Sequence, residues 1–374
     1  MSELSYLEKL LDGAEVEWLP LSSLCNLITT GKLNANAMED NGAYPFFTCN
    51  EEPYRINTYA FDLEAILISG NGSQVGHLNY YNGKFNAYQR TYILGGFNEN
   101  VDIMYLYYYL MHTLKPYIHK NSRKGSVPYI TMPMLENFKF PIPCPNNLEK
   151  SLAIQSEIVR ILDKFTALTA ELTAELNMRK KQYNYYRDQL LSFEQGEVEW
   201  KTLGEITTKI ASGRNKTRDA DGKFPVYGST GLIGFIDKAA YSGDLLLVAR
   251  VGAYAGLVNA VSGHFDVSDN TLIIHPSDSW NVRFAFHQLR HMNLNQYAVG
   301  AGQPLITGGL LKNLKVPFPS LKEQTRIAKI LDKFETITAS ISEGLPREIE
   351  LRQKQYEYYR DLLFSFPKPD AVSN

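Results

Sequence analysis

The sequence predicts an α+β fold, in which two globular regions of mixed helix and strand are separated by two long helical segments that pair as an antiparallel coiled coil. Three observations support this fold class. The chain has 374 residues, more than one hydrophobic core usually organises. The segment "QYNYYRDQLLSF" at 182–193 returns as "QYEYYRDLLFSF" at 355–366, and both copies lie in helix-like stretches. Short apolar runs typical of strands fill the rest.

The repeat extends along almost the whole chain and gives it an internal pseudo-twofold organisation. "GAEVEWLPL" at 13–21 is echoed by "GEVEWKTL" at 196–203, and "QSEIVRILDKF" at 155–165 by "QTRIAKILDKF" at 324–334. Between these anchors, "AILISGNGSQVGHLN" (65–79) aligns with "LLLVARVGAYAGLVN" (245–259), 180 residues later. We therefore predict domains at 1–150 and 196–320, a central helix at 151–195 and a C-terminal helix at 321–374.

The two globular regions diverged, whereas the two helical segments stayed nearly fixed. Strand-like runs such as "EAILIS" and "DLLLVAR" alternate with Gly and Asn turns, and helical patches occur at "VDIMYLYYYLMH" and "VRFAFHQLRHM". Identical segments are expected to meet identical partners, and diverged regions different ones.

Each helical segment has apolar residues at alternating steps of three and four, as a heptad seam requires. "TAELTAEL" at 169–176 writes a four-residue unit twice, and each copy would add about 6 Å of helix, close to the rise of two DNA base pairs. "SEGLPRE" at 342–348 is expected to interrupt the second segment, since Gly344 can end a helix and Pro346 suits the start of the next. The seam residues are Ile158, Ile161, Phe165, Leu168, Leu172, Leu176, Tyr183, Tyr186, Leu190 and Phe193, then Ile327, Ile330, Phe334, Ile337, Ile341, Leu345, Ile349, Tyr356, Tyr359, Leu363 and Phe366.

Tyrosines in the repeated motif are candidates for docking another protein. A two-helix seam needs one stripe, and Tyr185 and Tyr358 lie off it. The alternative is a helical pair that only sets the spacing of the domains. The docking candidates are Tyr183, Tyr185, Tyr186, Tyr356, Tyr358 and Tyr359.

Composition points to a protein that stays inside the cell. No apolar run reaches the roughly 18 residues that span a bilayer, and no membrane partner is expected. Cys25, Cys49 and Cys144 have no metal-ligand spacing, so three reduced thiols and no metal site are expected. The net charge of -2 means that any DNA binding must come from local basic clusters.

Motifs that would carry catalysis fail on inspection. "GNGSQVG" has the wrong glycine spacing for a dinucleotide loop, and its repeat partner loses the pattern. "NEEPY" at 50–54 only faintly suggests an adenine methyltransferase tetrad. Asp62 and Glu64 share a strand face as in a nuclease, but no lysine follows them in register. A standalone methyltransferase or nuclease is therefore disfavoured, and no catalytic residue is assigned.

Local charge favours DNA recognition. "HTLKPYIHKNSRKG" (112–125) and "KIASGRNKTR" (209–218) contain no carboxylate, so each globular region is predicted to have one basic loop. Either loop alone could be ordinary solvated surface, but one in each half favours DNA. The candidate DNA-binding residues are Gln74, His77, Gln89, Arg90, Lys120, Arg123 and Lys124 in the first region, and Arg214, Asn215, Lys216, Arg218, Arg250, Tyr254 and Asn270 in the second.

The two helical segments resemble those of the specificity (S, or HsdS) subunits of type I restriction-modification systems, especially the type IC group, over the full length of the chain. "SLAIQSEIVRILDKFTALTAELTAELNMRKKQYNYYRDQLLSF" and "SEGLPREIELRQKQYEYYRDLLFSFPK" carry the resemblance. It implies a non-catalytic subunit that reads a bipartite, asymmetric sequence in double-stranded DNA, with one half-site for each recognition domain. The competing hypothesis is a scaffold whose duplicated helices assemble proteins without DNA.

The same resemblance implies the partners and cofactors. Two methylation subunits would dock on the paired helices and carry S-adenosylmethionine, and restriction subunits would use ATP and magnesium. No cofactor is expected on this chain itself.

Overall fold

The computed structural model describes residues 6–122, 128–194, 196–300, 302–340 and 342–368, which form two compact units. The first unit contains residues up to Ala170 together with those from Glu350 onward, and the second contains Glu171–Ile349. The first unit is therefore built from two stretches of sequence about 180 residues apart, whereas the second is continuous.

The first unit is an α+β domain on an antiparallel-rich sheet with the strand order β2-β7-β5-β6-β3-β4, and β1 pairs separately with β8. Its strands are β1 (Val16–Pro20), β2 (Cys25–Thr30), β3 (Tyr44–Phe47), β4 (Tyr54–Ile56), β5 (Phe61–Ser69), β6 (Leu78–Ala87), β7 (Thr91–Phe97) and β8 (Lys139–Pro143). Its helices are α1 (Tyr6–Leu11), α2 (Leu21–Leu24), a 3-10 turn at Ala35–Ala37, α3 (Ile103–Asn121), α4 (Met132–Glu136) and the first part of α5 (Leu148–Leu191).

The second unit repeats this plan with shorter strands and orders β10-β17-β14-β15 and β12-β11-β16-β13, and β9 pairs with β18. Its strands are β9 (Glu199–Thr202), β10 (Thr207–Ser212), β11 (Phe224–Gly228), β12 (Gly231–Ile236), β13 (Tyr241–Ser242), β14 (Leu245–Ala249), β15 (Val258–Val261), β16 (His264–Val267), β17 (Thr271–Pro276) and β18 (Lys315–Phe318). Its helices are α6 (Leu203–Ile206), α7 (Val282–His291), a 3-10 turn at Leu294–Tyr297, α8 (Gly308–Asn313), α9 (Leu321–Ala339) and the start of α10 (Gly344–Leu363).

Alternating side chains of the central strand cover both faces of each sheet, as the pleat requires. In β5, Ile66 and Ile68 face the helices, whereas Ala65 and Leu67 face a second cluster around Phe47 and Phe85. In β14, Leu246 and Val248 face the helices, and Leu245 and Leu247 face a cluster around Phe265 and Val267. The predicted α+β fold class, with two domains and a long helix between them, is confirmed.

The end of each repeated motif packs into the core of a domain. Leu363, Phe364 and Phe366 lie in the core of the first unit, and Phe364 packs edge-on against Tyr109 with ring centroids 5.4 Å apart. The corresponding Leu191, with Leu190 and Phe193, packs into the core of the second unit. This packing explains why "LLSF" and "LFSF" stayed almost the same.

The helix interruption predicted at 342–348 is confirmed, because α9 ends at Ala339 and α10 begins at Gly344. Gly344 has φ +78, and a Cβ there would lie 2.3 Å from the carbonyl oxygen of Thr336. A glycine is therefore required at this turn.

The predicted seam needs correction at several positions. Ile337 is 36 % exposed, and its neighbour Thr338 is buried instead. Leu162 and Leu331, which the seam omits, are fully buried because α5 and α9 also pack against the sheet domains. Ile341 lies outside the described residues.

The repeated segments "QSEIVRILDKF" and "QTRIAKILDKF" each begin with a buried glutamine, which binds the residue before α3 or α7. The backbone N–H of Asp102 donates to Gln155 Oε1 at 2.9 Å, and that of Asn281 donates to Gln324 Oε1 at 2.8 Å. Asp102 and Asn281 in turn cap α3 and α7 by accepting hydrogen bonds from backbone N–H groups. Both glutamines are fully buried, so the two helix starts are fixed in the same way.

The aspartate of the same segment makes a second tie, but its partner differs between the units. Tyr108 OH donates to Asp163 Oδ1 at 2.5 Å, and His287 Nε2 lies 2.7 Å from Asp332 Oδ1. Arg283 also donates to Asp332, at 2.7 Å. Within the described residues His287 Nδ1 is buried without a hydrogen-bond partner, which fits a neutral ring that donates from Nε2.

This difference predicts that acid destabilises the second unit through His287. Burial lowers the pKa of the His287 imidazole, although its bond to Asp332 opposes the shift. The unfolded chain therefore binds a proton more readily below about pH 6.5, and stability falls as the pH falls, by at most about 1.4 kcal/mol per pH unit for one proton. The pKa of the Asp332 carboxyl is lowered, because hydrogen bonds from Arg283 and His287 outweigh the opposing effect of burial. Asp332 therefore affects stability only at lower pH.

We expect His287→Gln to reduce the loss of stability between pH 7.5 and 5.5, measured as the shift in the urea midpoint. The control is His264→Gln, which changes an exposed histidine. Its loss of stability over this pH range should equal that of the unsubstituted chain, because both keep His287. An unchanged pH dependence in His287→Gln would contradict this assignment.

Candidate nucleic-acid interface

Four loops of the first unit meet at one end of its sheet: 31–34, 48–51, 70–77 and 88–91. The backbone N–H of Gly70 donates to the carbonyl of Arg90 at 2.9 Å, and that of Gln89 donates to the carbonyl of Leu33 at 2.9 Å. The Cys49 thiol lies 3.2 Å from Asn71 Oδ1, which joins the second loop to the third. These contacts fix the loop backbones and leave side chains to point outward.

The structure brings four of the predicted residues of this unit together in these loops. Gln89 and Arg90 are exposed, and Gln89 Nε2 donates to Asn34 Oδ1 at 3.2 Å. Gln74 Nε2 donates to Glu51 Oε1 at 2.9 Å. His77 is half-buried, and its Nε2 has no hydrogen-bond partner among the described residues.

The second unit builds the same loop end with different side chains. The backbone N–H of Gly213 donates to the carbonyl of Thr271 at 2.9 Å, as that of Gly31 does to Thr91 at 3.2 Å. The backbone N–H of Arg250 donates to the carbonyl of Asn270 at 2.9 Å, the equivalent of the bond between Gly70 and Arg90. The predicted residues Arg214, Arg250 and Asn270 therefore lie on neighbouring loops, and the remaining exposed candidates are Lys216, Arg218 and Tyr254.

The guanidinium group comes from different loops in the two units. A Cβ on Gly70 would lie 2.4 Å from the carbonyl oxygen of Arg90, so only glycine fits there and the guanidinium comes from Arg90. In the second unit it comes from Arg250, next to the amide of Asn270. Arg250 Nε is buried without an acceptor in the described part of the chain, and its Nη1 reaches Ser212 Oγ only at 3.5 Å.

Asn215 has a different surrounding from the other candidates of its loop. Its Nδ2 donates to Asp266 Oδ2 at 2.6 Å, and its Oδ1 accepts from the backbone N–H of Thr217 at 2.8 Å. Both ends of the side-chain amide are used within the protein, so Asn215 shapes the loop that presents Arg214 and Lys216.

The basic segment at 112–125 is not a loop as predicted, because α3 continues to Asn121. Lys120 is exposed on that helix, and Arg123 and Lys124 lie outside the described residues. Lys115 packs beside the 70–77 loop, since a Cβ on Gly76 would lie 3.0 Å from its Cγ.

The structural counterpart of the 209–218 loop is instead the segment after β2. Leu33 forms a parallel β-bridge with Tyr88, and Asn215 forms the equivalent bridge with Ser268. In this alignment Lys32 corresponds to Arg214, and Asn34 corresponds to Lys216. Lys32, Asn34 and Asn36 are all exposed. Sequence reasoning missed them, although the echo of "TTGK" (29–32) in "ASGR" (211–214) was a usable signal.

The repeated tyrosines form two matching arrangements, one in each unit. Tyr186 stacks on Phe334 with centroids 5.6 Å apart, and Tyr359 stacks on Phe165 at 5.4 Å. Tyr185 is 62 % exposed and Tyr358 is 65 % exposed, as their off-seam positions predicted. By contrast, Tyr183 and Tyr356 are partly buried against the cores of their units, which raises the pKa of both phenols.

One group of potential metal ligands has an ion-pair explanation. Ligand-type atoms of His287, Asp332 and Glu335 lie within 4.8 Å of one another. However, Arg283 Nη2 lies 2.7 Å from a carboxylate oxygen of both Asp332 and Glu335, and Arg290 Nη1 lies 2.7 Å from Glu335. Two guanidinium groups already neutralise this cluster.

The three cysteines are free thiols, as expected. Burial raises the pKa of the Cys25 thiol to about 12, which keeps it protonated. Among the described residues, none of the helices combines the length and the apolar character needed to cross a membrane.

Two sheet domains with equivalent loops and different loop side chains, each completed by a copy of the same helical motif, define a duplicated recognition protein. The family model described as "Type I restriction modification DNA specificity domain" matches residues 14–179 and 196–351. The specificity subunit of type I restriction enzyme EcoR124I/EcoR124II from Escherichia coli is 40 % identical, over all of this chain and all of that subunit. That of EcoprrI, also from Escherichia coli, is 41 % identical over 92 % of this chain and 93 % of the subunit.

Solved structures agree on the fold. The crystal structure of a type I restriction-modification S subunit from M. genitalium superposes with a TM-score of 0.63 at 18 % identity, covering 96 % of this chain and 98 % of that one. A chain from a structure on complex assembly of the type I R-M system gives 0.54 at 15 % identity, covering 93 % and 97 %.

The chain belongs to the family of type I restriction-modification DNA specificity subunits. Its function is DNA sequence specificity, and it is a recognition component rather than a catalytic one. Subunits of this family belong to complexes with other subunits and with DNA.

Proposed function

We propose that this chain reads an asymmetric, bipartite sequence in double-stranded DNA, with each unit recognising one half-site. The observation that carries the proposal is the pair of loop ends with the same backbone bonds and different side chains. Gly70 and Arg90 in the first unit correspond to Arg250 and Asn270 in the second. Arginine suits the O6 and N7 acceptors of guanine, and asparagine suits adenine, so different half-sites follow from these exchanges.

Exposed lysines and arginines of the loops would contact phosphates and set the position of each unit on the duplex. The candidates for this role are exposed side chains: Lys32 in the first unit and Arg214, Lys216 and Arg218 in the second. With a net charge of -2, the chain relies on these local groups rather than on its overall field. Binding should therefore weaken steeply as salt is added.

The partners and cofactors follow from family membership and the matching tyrosine arrangements. Two methylation subunits would dock, one at Tyr185 and one at Tyr358, and restriction subunits would join the complex. S-adenosylmethionine, ATP and magnesium would be bound by those partners and not by this chain. The complex would work in the cytoplasm, where its DNA is.

The proposal is tested by selecting duplexes from a random DNA pool with the complex of this chain and its methylation subunit. We expect two short motifs at a fixed gap after sequencing. A stable protein complex that enriches no sequence over the input would contradict the proposal.

Arg250→Ala should relax one base pair of one half-site, because a bidentate contact to guanine would be lost. The expected cost in discrimination is about 1–3 kcal/mol, read from the selected sequences, with the other half-site unchanged. Arg326→Ala removes an exposed guanidinium from α9, outside the loops, and serves as the control. If Arg250→Ala weakens binding to all sequences equally, Arg250 contacts phosphate and does not read a base.

Tyr185→Ser and Tyr358→Ser should each weaken the docking of one methylation subunit, by about 2 kcal/mol if each tyrosine is a central contact. The measurement is the mass of the complex by light scattering as it is diluted, and the double variant should bind neither subunit well. Tyr297→Ser changes a 38 % exposed tyrosine outside the repeated motif and should leave the mass unchanged. Full assembly of the double variant would exclude this docking site.

Adding one more "TAEL" after Leu176 should widen the gap between the half-sites without changing the bases read. Residues 169–176 lie inside the continuous helix α5, and four further residues lengthen it by about 6 Å. Random-pool selection with the lengthened chain measures the gap directly. An unchanged gap, with the helix intact by circular dichroism, would refute the role of this segment as a spacer.

A further inference from the structure

A groove of about 730 Å³ runs along one face of α3 in the first unit. This helix has a buried stripe, which repeats every four residues, and a second stripe beside it. The stripe formed by Leu106, Leu110, Leu114 and Ile118 is buried in the core. The other stripe lines the groove and consists of Tyr109, His112, Thr113, Pro116, Tyr117 and Lys120.

The floor of the groove is aromatic, and two of its polar atoms are bonded within the protein. Trp18 Nε1 donates to the carbonyl of Pro367 at 2.9 Å, and Tyr117 OH donates to the carbonyl of Met134 at 3.1 Å. Phe138 packs edge-on against Tyr117 with centroids 5.0 Å apart. An occupant of this floor would therefore meet ring faces and edges, which favour apolar side chains.

The rim of the groove is cationic. Lys120, Lys139 and Lys368 are exposed around it, and none of the described lining residues carries a carboxylate. His112 adds no full charge near neutral pH, because burial lowers the pKa of its imidazole, as does Arg360, against the opposing effect of Asp361. The three lysines thus place positive charge beside an apolar floor whose described lining holds no carboxylate.

The groove has no full counterpart in the second unit, although the chain is duplicated. Helix α7 ends at His291, the position equivalent to His112, so the last nine residues of α3 have no α-helical equivalent and a short 3-10 turn at Leu294–Tyr297 stands in their place. The second unit keeps Trp200 and Lys315 at the positions of Trp18 and Lys139 but lacks the helical wall that Pro116 and Tyr117 provide. A ligand of the groove would therefore bind once per chain.

We propose that this groove binds an acidic peptide segment of a partner protein, which places apolar side chains on the aromatic floor and carboxylates against the lysine rim. The volume falls within the range of specific binding pockets. The stripe from Tyr109 to Lys120 is about 17 Å long, which matches roughly three turns of a docked amphipathic helix. Duplex DNA is a poorer occupant, because a phosphate backbone offers no apolar group for the floor.

The test uses the full chain with Trp200→Phe, fused to a soluble carrier protein without tryptophan, so that Trp18 reports alongside the buried Trp280. The probe is a synthetic 12-residue peptide of Glu, Leu and Phe with the apolar residues at helical spacing. The control peptide has lysine in place of every glutamate. We expect the acidic peptide to change the Trp18 fluorescence with a stoichiometry of one, more weakly as salt is added, and the basic peptide to have no effect.

Charge reversal at the rim supplies the matched variants. Lys139→Glu with Lys368→Glu should weaken peptide binding by at least about tenfold, whereas Lys315→Glu, at the position of the other unit equivalent to Lys139, should leave it unchanged. Both variants should keep the same selected half-sites, because none of these three lysines lies in the DNA loops.

Several outcomes would overturn the proposal. These are no binding of the acidic peptide to the folded chain, equal binding of the basic peptide, equal loss of affinity with Lys315→Glu, or displacement of the peptide by a duplex without the recognition sequence. The last outcome would identify the groove as a surface for DNA phosphates.

Discussion

The structure depends on the burial of a helix end in each sheet domain. Ile158 and Leu162 of α5 close the core of the first unit together with Leu363 and Phe364 from the far end of the chain. Full burial of each such side chain is worth about 1.5–3 kcal/mol, so removing one helix end would take away much of the marginal stability of a domain. The second unit is closed in the same way by Leu331 of α9 and Leu191 of α5.

This division of labour explains which parts of the duplicated sequence diverged. The helix segments must fit a core, cap a domain helix and present a tyrosine, and each of these needs a particular side chain. The loops need only their backbone hydrogen bonds, such as that from Gly70 to Arg90 or from Arg250 to Asn270. Away from glycines such as Gly70, side chains on these loops can change at little cost to the fold, which is what a protein that specifies different DNA sequences requires.

Much of the fold could be predicted from the sequence, because the repeat supplies a comparison inside the chain. The strand at "EAILIS", the break at Gly344 and the exposure of Tyr185 and Tyr358 all followed from periodicity and position. The length of α3 did not, because Pro116 and a run of basic residues are typical of loops, whereas the buried Leu114 and Ile118 hold that segment helical.

The loop residues were harder to predict than the fold. Lys32 was missed because the two loops share only their glycine and one basic residue, and their equivalence lies in backbone bonds that sequence does not show. Asn215 looked like a base-reading residue, but whether its amide points outward depends on Asp266, which is 51 residues away.

The discontinuous first unit also affects the order in which the chain can fold during synthesis. Residues 171–349 are made as one continuous stretch, so the second unit has all of its sequence before Leu363 is made. The first unit, although made earlier, must wait for Leu363, Phe364 and Phe366 to complete its core. A nascent chain therefore carries an open first domain until these residues are made, and losing them would damage a domain whose other elements precede residue 171.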